Sequence, residues 1–330
     1  MTRPSVSVVL AVYNVMWCIE RALDSVLSQT HVPLEIIACD DGSTDGTPEF
    51  IERKYGDAVR VLRLPHRNAS AARHDGLAVA QGDWLAFLDA DDWWQPHKLE
   101  RQLEYVAAHP SVRWVSTEGR YESEHGVERA SWLADYFEPV IERNGDLLPP
   151  MLGRCFPLMS SMLVERSAYH EVGGIDPAII YSHDYDLWLR LAARFDGGLI
   201  PEMLVHYWTH PGALSKNFEA RHRDDLMLMQ RAADGTLRDD AQTRELGRER
   251  VAALQYHIGQ RCLRTGRGAE GRALLRASLA RGPILRRSVA LLGSLVPDGL
   301  VPVLQRIPLL KKWVSVARGP SQRVKGSDPS

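Results

Sequence analysis

The chain has 330 residues, of which 45% are hydrophobic and 25% are charged, and its formal net charge is −2. Such a chain can bury a large core, which excludes a wholly disordered protein, and its length fits one α/β domain with a smaller appendage. The four cysteines include no C-x-x-C pair, which argues against a zinc site or disulfides and favours reduced thiols in a cytoplasmic protein.

The N-terminal third of the chain alternates predicted strands and helices. Strands are predicted at 6–13, 34–40, 59–64 and 84–88, and helices at 15–28, 47–55 and 70–80. Two of these strands are apolar on both faces, which is typical of strands inside an α/β sheet. The alternation predicts a mainly parallel sheet that is covered by helices on both faces.

The rest of the chain is predicted to be mixed at first and helical afterwards. The mixed part has predicted strands at 114–121 and 160–165, an irregular or helical segment at 131–144, and helices at 166–172 and 185–195. The helical part has predicted helices at 220–233, 243–265 and 269–280. Small residues in the last two helices, Gly259, Ala273 and Ala277, predict that these helices pack closely.

The C-terminal segment is strongly basic. From Arg281 to Lys325, nine Arg or Lys residues accompany a single acid, Asp298. Short amphipathic pieces of such a segment can bind an anionic membrane surface, and a helical tail that packs on its own domain is an equal alternative. The first residues carry no basic leader, and no apolar run reaches the roughly 18 residues of a membrane span. We therefore expect a cytoplasmic protein that is peripheral on the inner face of the cell membrane.

Two of the predicted strands end in clusters of carboxylates. The strand before residue 40 leads into Asp40, Asp41 and Asp45, and the strand before residue 89 leads into Asp89, Asp91 and Asp92. Ligands of α/β sheets bind at the carboxyl ends of the strands, and carboxylates there would repel a nucleotide diphosphate unless a divalent cation lay between them. The clusters therefore predict Mg²⁺ or Mn²⁺ that holds a pyrophosphate. No G-x-G-x-x-G follows a strand and no G-x-x-x-x-G-K-[ST] is present, which excludes a Rossmann dehydrogenase and a P-loop enzyme.

Four motifs in order resemble those of family 2 glycosyltransferases. They are VVLAVYN at 8–14, DDGSTD at 40–45, AAR at 71–73 and LDADD at 88–92. The resemblance covers about residues 5–217. It implies the α/β GT-A fold, a mainly parallel mixed sheet flanked by helices, and transfer of a sugar from a nucleotide donor with inversion at the anomeric carbon. A nucleotide-binding half at about 1–110, an acceptor half at about 111–217 and a C-terminal helical region at 218–330 would follow.

The resemblance also implies a donor site, residue by residue. Ala11 and Tyr13 would line the nucleobase pocket, and Asp41 would accept hydrogen bonds from the base. Arg73 would face the nucleotide side of the donor, and Asp89 would contact the donor ribose or sugar. The simpler alternatives are an ordinary surface charge for Arg73 and helix capping for the first carboxylate cluster, in which one aspartate is expected to cap.

The metal and the catalytic base are implied in the same way. Asp91 would ligate the metal, and His210 would contact the metal or the diphosphate, with a loop histidine that has no ligand as the alternative. Asp184 would remove the proton from the acceptor hydroxyl. Asp92 and Asp186 are expected to cap helices or to lie at the surface.

Two positions depart from the family pattern. His74 stands where an asparagine is usual after the arginine, which weakens the expectation of a hydrogen bond from that side chain. His183 stands where a glutamate is usual before the base, which puts the acceptor contacts in doubt and allows the local charge to change with pH.

The sequence therefore predicts an enzyme that moves one sugar to a glycan or lipid-linked acceptor in cell-surface polysaccharide biosynthesis. Membrane spans and a Q-x-x-R-W element, which mark processive synthases of the family, are missing, and no nucleic-acid partner is expected. One alternative is a catalytically silent scaffold that binds a sugar nucleotide, which only His183 favours. Another is a sugar nucleotidyltransferase, although residues 10–14 lack its glycine-rich basic loop.

Overall fold

The structure is a computed structural model that describes residues 4–210, 212 and 217–279. Its strands are β1 (Val6–Val12), β2 (Glu35–Asp40), β3 (Arg60–Arg63), β4 (Trp84–Asp89), β5 (Trp93–Trp94), β6 (Val112–Ser123), β7 (Gly126–Arg129), β8 (Arg143–Gly145), β9 (Leu163–Glu165) and β10 (Asp196–Trp208). Its helices are α1 (Ile19–Leu27), α2 (Thr47–Tyr55), α3 (Ala69–Val79), α4 (Lys98–Ala108), α5 (Leu148–Gly153), α6 (Arg166–Glu171), α7 (His183–Arg194), α8 (Phe218–Asp234), α9 (Ala241–Arg264) and α10 (Gly268–Ser278). The predicted alternation of strands and helices in the N-terminal third is confirmed.

All of these strands belong to one mixed sheet. Its order is β3-β2-β1-β4-β9-β6-β10-β5, with β7 beside β6 and β8 beside β10. Strand β1 pairs in parallel with β2 and β4, and β2 pairs in parallel with β3. Strand β9 is antiparallel to β4 and to β6, whereas β6 and β10 are again parallel. The α/β prediction is confirmed, with a parallel N-terminal half and a mixed second half.

Strand β1 lies inside the parallel half, and its residues are buried on both faces. Val8 and Val9, whose side chains point to opposite faces, have no exposed surface. Ala11 lies in register with Cys39 of β2 and with Asp89 of β4. The carboxyl ends of three parallel strands therefore meet at one edge of the sheet, which is where open α/β sheets bind their ligands.

Strand β10 is not predicted by the sequence pattern, although it is 13 residues long. Its pairing with β6 shifts register at irregularities, and it contains Gly197 and Gly198, a residue type that is rare inside strands. A Cβ atom at Gly197 would lie 2.0 Å from the ring of Trp114, and one at Gly198 would lie 2.3 Å from the ring of Tyr105. Both glycines make room for aromatic side chains from distant parts of the chain. Local propensity cannot show such a requirement.

The chain divides into two compact units between Arg244 and Glu245. Helix α8 lies in the first unit, which therefore extends beyond residue 217. The division into domains at 1–217 and 218–330, as parts that fold independently, stays a prediction. In the second unit, a Cβ atom at Gly259 would lie 3.0 Å from the carbonyl oxygen of Gly271. The close packing that was predicted for the last two helices occurs at this pair of glycines.

Among the described residues, no helix combines the length and the hydropathy that crossing a bilayer requires. The basic segment from residue 281 to residue 325 lies outside the described residues. Its contact with an anionic membrane surface, and the peripheral membrane location that depends on this contact, therefore stay predictions.

Helix α4 buries a lysine in the core of the first unit. Lys98 has no exposed surface, its ammonium donates to Gln102 Oε1 at 2.8 Å, and it lies 4.1 Å from the centre of the Trp94 ring. Burial lowers the pKa of Lys98 well below its ordinary value, because the ammonium loses its hydration. None of the described carboxylates forms an ion pair with it.

We expect Lys98→Met to raise the free energy of unfolding at pH 7 by about 1–2 kcal/mol. This figure is the net effect and includes the loss of the hydrogen bond to Gln102. The folded state disfavours the ammonium, so wild-type stability decreases as the pH falls below the ordinary lysine pKa of 10.5. Methionine fills a similar volume without this cost. Urea titrations at pH 7 and at pH 9.5 measure the effect, and the difference between the variants should shrink at the higher pH.

Lys54→Met is the matched control, because Lys54 lies at the surface beside Glu20. Loss of this exposed ion pair should change stability by less than about 1 kcal/mol. A Lys98→Met protein that unfolds more easily than wild type at pH 7 would contradict the expected cost of burying the ammonium.

Candidate active site

Four residues at the edge where β1 and β2 end, Tyr13, Asp41, His66 and Arg67, contact one another, and this group is called here the Tyr13 pocket. The rings of Tyr13 and His66 are stacked, with centroids 4.3 Å apart and an angle of 18° between their planes. Asp41 Oδ1 accepts a hydrogen bond from the Arg67 backbone N–H at 2.8 Å, and Asp41 Oδ2 lies 3.0 Å from His66 Nδ1. A flat aromatic surface beside a fixed carboxylate can hold a planar heterocycle that has N–H donors.

The sequence predicted Tyr13 and Asp41 for this place but not His66 or Arg67. Both missed residues follow β3 and precede α3, so a signal was available, because polar residues after a parallel strand reach the same edge of the sheet. The loop that faces His66 requires a glycine at position 42. Its φ is +77°, and a Cβ atom there would lie 3.1 Å from the Cβ atom of His66.

The loops after β1 and β2 are joined by side-chain hydrogen bonds. Asn14, whose φ is 51°, donates its backbone N–H to Ser43 Oγ at 3.0 Å and accepts from the Thr44 N–H at 2.8 Å. Asp45 accepts from the Thr47 N–H at 3.0 Å at the start of α2. The N-cap residue of α2 is Gly46, which forms no side-chain capping bond, so the expected capping aspartate lies one residue before the cap position. These bonds hold the Tyr13 pocket in shape.

Arg73 connects the third and fourth strand–helix units to the distant helix α7. It is 6% exposed, its Nη2 forms an ion pair with Asp89, and its Nη1 lies 3.0 Å from Nε2 of His183. Its Nε has no hydrogen-bond partner among the described residues. Arg73 is therefore a buried group that holds Asp89 at the sheet edge, and the surface-charge alternative is wrong. His74 has a different role, since its Nδ1 lies 2.9 Å from the Ile175 carbonyl oxygen.

The contacts of His183 define its tautomer. Its Nδ1 lies 3.0 Å from the Ile180 carbonyl oxygen and must donate, and its Nε2 faces the Arg73 guanidinium and must accept. Burial, and then the positive charge of Arg73, lower the pKa of His183. The histidine that replaces the usual glutamate is therefore a neutral acceptor for Arg73.

We expect the stability of the protein to decrease as the pH falls below 6.5, the ordinary pKa of histidine, because the unfolded chain then binds a proton that the folded His183 does not. The loss is about 1.4 kcal/mol for each unit by which the folded pKa lies below that value. Thermal melts from pH 5 to pH 8 measure it. His183→Gln keeps an acceptor for Arg73 without a titrating ring, so its stability should fall less steeply. Equal slopes in the two proteins would contradict the assignment.

The second carboxylate cluster, Asp89, Asp91 and Asp92, lies at the end of β4, and His210 approaches it from the end of β10. These four residues are called here the Asp91 cluster. Asp91 Oδ2 is 3.1 Å from His210 Nε2, a contact between residues 119 positions apart. Burial, and then the charge of Asp89, raise the pKa of Asp91. Burial, and then the charges of Asp91 and Asp89, raise the pKa of Asp92 well above its ordinary value. Negative charge is in excess here.

Two carboxylates differ from their predicted roles. Asp92 does not cap a helix: it is 1% exposed and accepts from Ser160 Oγ at 2.5 Å and from the Trp208 N–H at 2.9 Å, which ties the end of β10 to the β4–β5 turn. Asp186 is not a surface residue, because it is 2% exposed and forms ion pairs with Arg190 and Arg231. Asp92 is held by Ser160 and Trp208, and Asp186 is held in part by Arg231, and sequence spacing does not reveal these distant partners.

Asp184 is half-buried in the first turn of α7, where the helix dipole favours a negative charge. One of its oxygens accepts from the Tyr185 N–H at 2.8 Å. Burial lowers the pKa of Arg221, but the negative charges of Asp225 and Asp184 outweigh this effect and raise it. The guanidinium of Arg221 is therefore close enough to interact electrostatically with the Asp184 carboxylate. His183, which precedes Asp184 in the chain, contacts Arg73, and Arg73 pairs with Asp89. The role of Asp184 as the base stays a prediction.

The Asp91 cluster fits a hard divalent cation. Carboxylate oxygens and an imidazole nitrogen are ligands that Mn²⁺ accepts, and carboxylate oxygens suit Mg²⁺. A cation would also relieve the excess of negative charge that raises the pKa of Asp91. Within the described part of the chain, no group of three His, Cys, Asp or Glu side chains has the arrangement of a metal site. Asp91 and His210 would therefore share the cation with oxygens of water or of a bound ligand.

These features agree with comparisons to known proteins. Residues 7–167 match the family model for Glycosyl transferase family 2. Over 214 residues the chain is 29% identical to UDP-Glc:alpha-D-GlcNAc-diphosphoundecaprenol beta-1,3-glucosyltransferase WfaP of Escherichia coli, a match that covers 64% of this chain and 80% of that protein. Other curated relatives, at 30% to 32% identity, are covered over only 34% to 54% of their length. The predicted resemblance to family 2 glycosyltransferases is therefore confirmed over residues 7–167.

Solved structures support the fold. Staphylococcus aureus TarS 1-349 in complex with UDP-GlcNAc matches with a TM-score of 0.62 and 15% identity, over 94% of this chain and 87% of that chain. The mannosyltransferase PcManGT from Pyrobaculum calidifontis, in complex with GDP-Man and Mn²⁺, matches with a TM-score of 0.59 and 18% identity, over 96% of this chain and 85% of that chain. At these identities the likeness establishes the fold alone, and the predicted GT-A fold is confirmed.

Proposed function

We propose that this protein is an inverting, divalent-cation-dependent glycosyltransferase. It would move a single sugar from a nucleotide-sugar donor to a glycan or lipid-linked acceptor in cell-surface polysaccharide biosynthesis. The observation that carries the proposal is the succession of the Tyr13 pocket, the Arg73–Asp89 pair and the Asp91 cluster along one sheet edge. A nucleotide sugar presents a planar base, a ribose and a diphosphate in the same succession.

In this proposal the base lies against the Tyr13 ring, and Asp41 accepts a hydrogen bond from a ring N–H. Ala11, at the end of β1 and in register with Asp89, lets the nucleotide approach the backbone between the two sites. Asp89, held by Arg73, accepts hydrogen bonds from the ribose or sugar hydroxyls. The orientation of Asp89 is set before the donor binds, which lowers the entropic cost of binding.

The proposed reaction is a single displacement. Asp184 takes the proton of the acceptor hydroxyl while that oxygen attacks the anomeric carbon from the face opposite the nucleoside diphosphate, and the configuration inverts. Asp91 and His210 would hold Mg²⁺ or Mn²⁺, whose charge stabilises the departing diphosphate when the ion is bound. Arg73 and Asp89 keep the sugar in place during the displacement.

The comparisons support parts of this proposal. The name of WfaP includes a UDP-Glc donor and an acceptor linked to diphosphoundecaprenol. TarS binds UDP-GlcNAc, and PcManGT binds GDP-Man with Mn²⁺. Because these proteins differ in base and sugar, the donor of this chain has to be measured.

A thermal-shift panel of UDP, GDP and dTDP, each with and without Mn²⁺, tests the proposal. A ligand present at about 100 times its Kd stabilises the folded state by about 2.7 kcal/mol, so one nucleotide should raise the melting temperature, and more so with Mn²⁺. Asp41→Asn should weaken the shift, whereas Asp57→Asn, at an exposed site outside the pocket, should not. No shift with any nucleotide would refute the donor site, and binding without turnover would favour the silent scaffold.

A further inference from the structure

A groove with a volume of about 590 Å³ lies beside the Asp91 cluster. Its walls include two tryptophans, Trp17 and Trp208, together with the charged residues Glu20, Arg21 and Asp24. The donor site proposed above uses none of these side chains. The groove is called here the Trp17 groove.

The Trp17 groove is continuous with the proposed reaction centre. The ring of Trp17 contacts the ring of His210 edge-on, with centroids 5.1 Å apart. Arg21 Nη2 donates a hydrogen bond to the carbonyl oxygen of Asp91 at 3.2 Å. A ligand that lies in the groove therefore extends directly away from the Asp91 cluster.

The walls of the groove are held in place by contacts with one another and with Trp93, Lys54 and Tyr55, which do not line it. The Arg21 guanidinium lies 3.6 Å from the centre of the Trp93 ring and 4.6 Å from the centre of the Trp208 ring, which fixes both the cation and the indole. On the opposite side, Lys54 donates to Glu20 at 2.6 Å and the Tyr55 hydroxyl donates to Asp24 at 2.8 Å. Trp17 is the exception, because 56% of it is exposed.

The chemistry of the walls selects the class of ligand. Indole faces bind the C–H faces of pyranose rings, and the carboxylates and the guanidinium offer hydrogen bonds to hydroxyl groups on the ring edges. Glu20 and Asp24 would repel an anionic ligand. A purely apolar ligand would remove water from these charged groups and would offer no hydrogen bonds in place of those that the water made. An uncharged, polyhydroxylated ligand avoids both costs.

We propose that the Trp17 groove binds the glycan part of the acceptor, namely neutral sugar units beyond the one that receives the transferred sugar. The volume lies within the roughly 300–1,000 Å³ typical of ligand pockets, which suits more than one pyranose ring. This inference rests on the proposed function and deepens it, since it makes the acceptor a neutral oligosaccharide or a lipid-linked one. Trp17 is its main contact.

Fluorine NMR of the protein labelled with 5-fluorotryptophan tests the inference without knowledge of the natural acceptor. The chain has nine tryptophans, whose resonances single Trp→Phe variants assign. Cellotetraose, maltotetraose and chitotetraose serve as probes at millimolar concentration. At least one of them should shift the Trp17 and Trp208 resonances in a saturable way, while the fully buried Trp114 and Trp188 serve as internal references.

Trp17→Ala should weaken the response of the Trp208 resonance roughly three- to tenfold, the range of one aromatic contact. Leu34→Ala is the matched control, because Leu34 is an exposed apolar residue that does not line the groove, and it should change nothing. Absence of a saturable shift with all three tetrasaccharides would overturn the inference. So would a Trp17 shift caused by a nucleotide sugar alone, because the groove would then belong to the donor.

The nucleotide thermal-shift panel separates this inference from the proposed function. If a nucleoside diphosphate binds with a dependence on Asp41 and the tetrasaccharides do not bind, the glycan assignment of the Trp17 groove fails by itself. If neither class of ligand binds, the proposed function fails with it.

Discussion

Replacing Asp184 with asparagine is expected to slow sugar transfer by about 10²–10⁴-fold, the usual contribution of a general base, while nucleotide binding is retained. Asparagine has nearly the same shape and can still accept the hydrogen bond from the Tyr185 N–H. It cannot take the proton of the acceptor hydroxyl. The loss should therefore appear in turnover and not in the affinity for the donor.

Release of nucleoside diphosphate from the donor, in the presence of an acceptor that supports wild-type turnover, measures this effect. Asp186→Asn is an informative control on the same helix, because Asp186 is buried between Arg190 and Arg231. Breaking that network should cost about 3–5 kcal/mol of stability, as measured by urea unfolding, and should leave no specific defect in proton transfer. Wild-type turnover in Asp184→Asn would rule out Asp184 as the base.

The second large effect is expected at Asp91. Asp91→Asn should abolish the part of the nucleotide thermal shift that depends on Mn²⁺, and it should lower turnover by about 10²–10⁴-fold, since a catalytic cation contributes several kcal/mol. Without metal, the variant should be as stable as wild type or more stable. The substitution removes one negative charge from a cluster in which burial and Asp89 already raise the pKa of Asp91.

Asp92→Asn distinguishes metal binding from structural support. Asp92 accepts hydrogen bonds from Ser160 and from the Trp208 backbone, so its replacement should lower the melting temperature of the metal-free protein. Its nucleotide shift should still respond to Mn²⁺. A Mn²⁺ response that survives in Asp91→Asn would place the cation elsewhere.

His183 shows how a departure from a family motif acquires a physical meaning. The sequence suggests that a histidine before the base disturbs contacts with the acceptor. In the structure its Nε2 instead faces Arg73 at 3.0 Å, and Arg73 in turn pairs with Asp89. His183 is a neutral hydrogen-bond acceptor at a position where a carboxylate is usual. The positive charge of Arg73 is therefore available to pair with Asp89. The substitution therefore affects the Arg73–Asp89 pair, and its expected consequence is a dependence of stability on pH.

The local sequence determined the parts of the site that depend on short segments of chain. Apolar runs predicted β1, β2 and β4, and carboxylates at the ends of the last two placed Asp41 and Asp89 at one edge. This inference works because a continuous apolar run is typical of a strand that is buried on both faces, and because parallel strands end on the same side of a sheet. The hydrogen bond from the Thr47 N–H to Asp45 is equally local.

Only the tertiary structure decided which distant residues complete the site. It stacked His66 on Tyr13, put Nε2 of His183 against Arg73, and buried Asp186 and Lys98, two charged residues of surface type. It also formed β10 around glycines that accommodate aromatic rings from β6 and α4. Local propensity reports only neighbours along the chain, whereas packing and the free energy of a buried charge depend on groups a hundred residues away. The sequence by itself therefore determined the class of fold and the edge of the sheet where we propose that the ligand binds, and long-range packing decided the partners and charge states of the groups there.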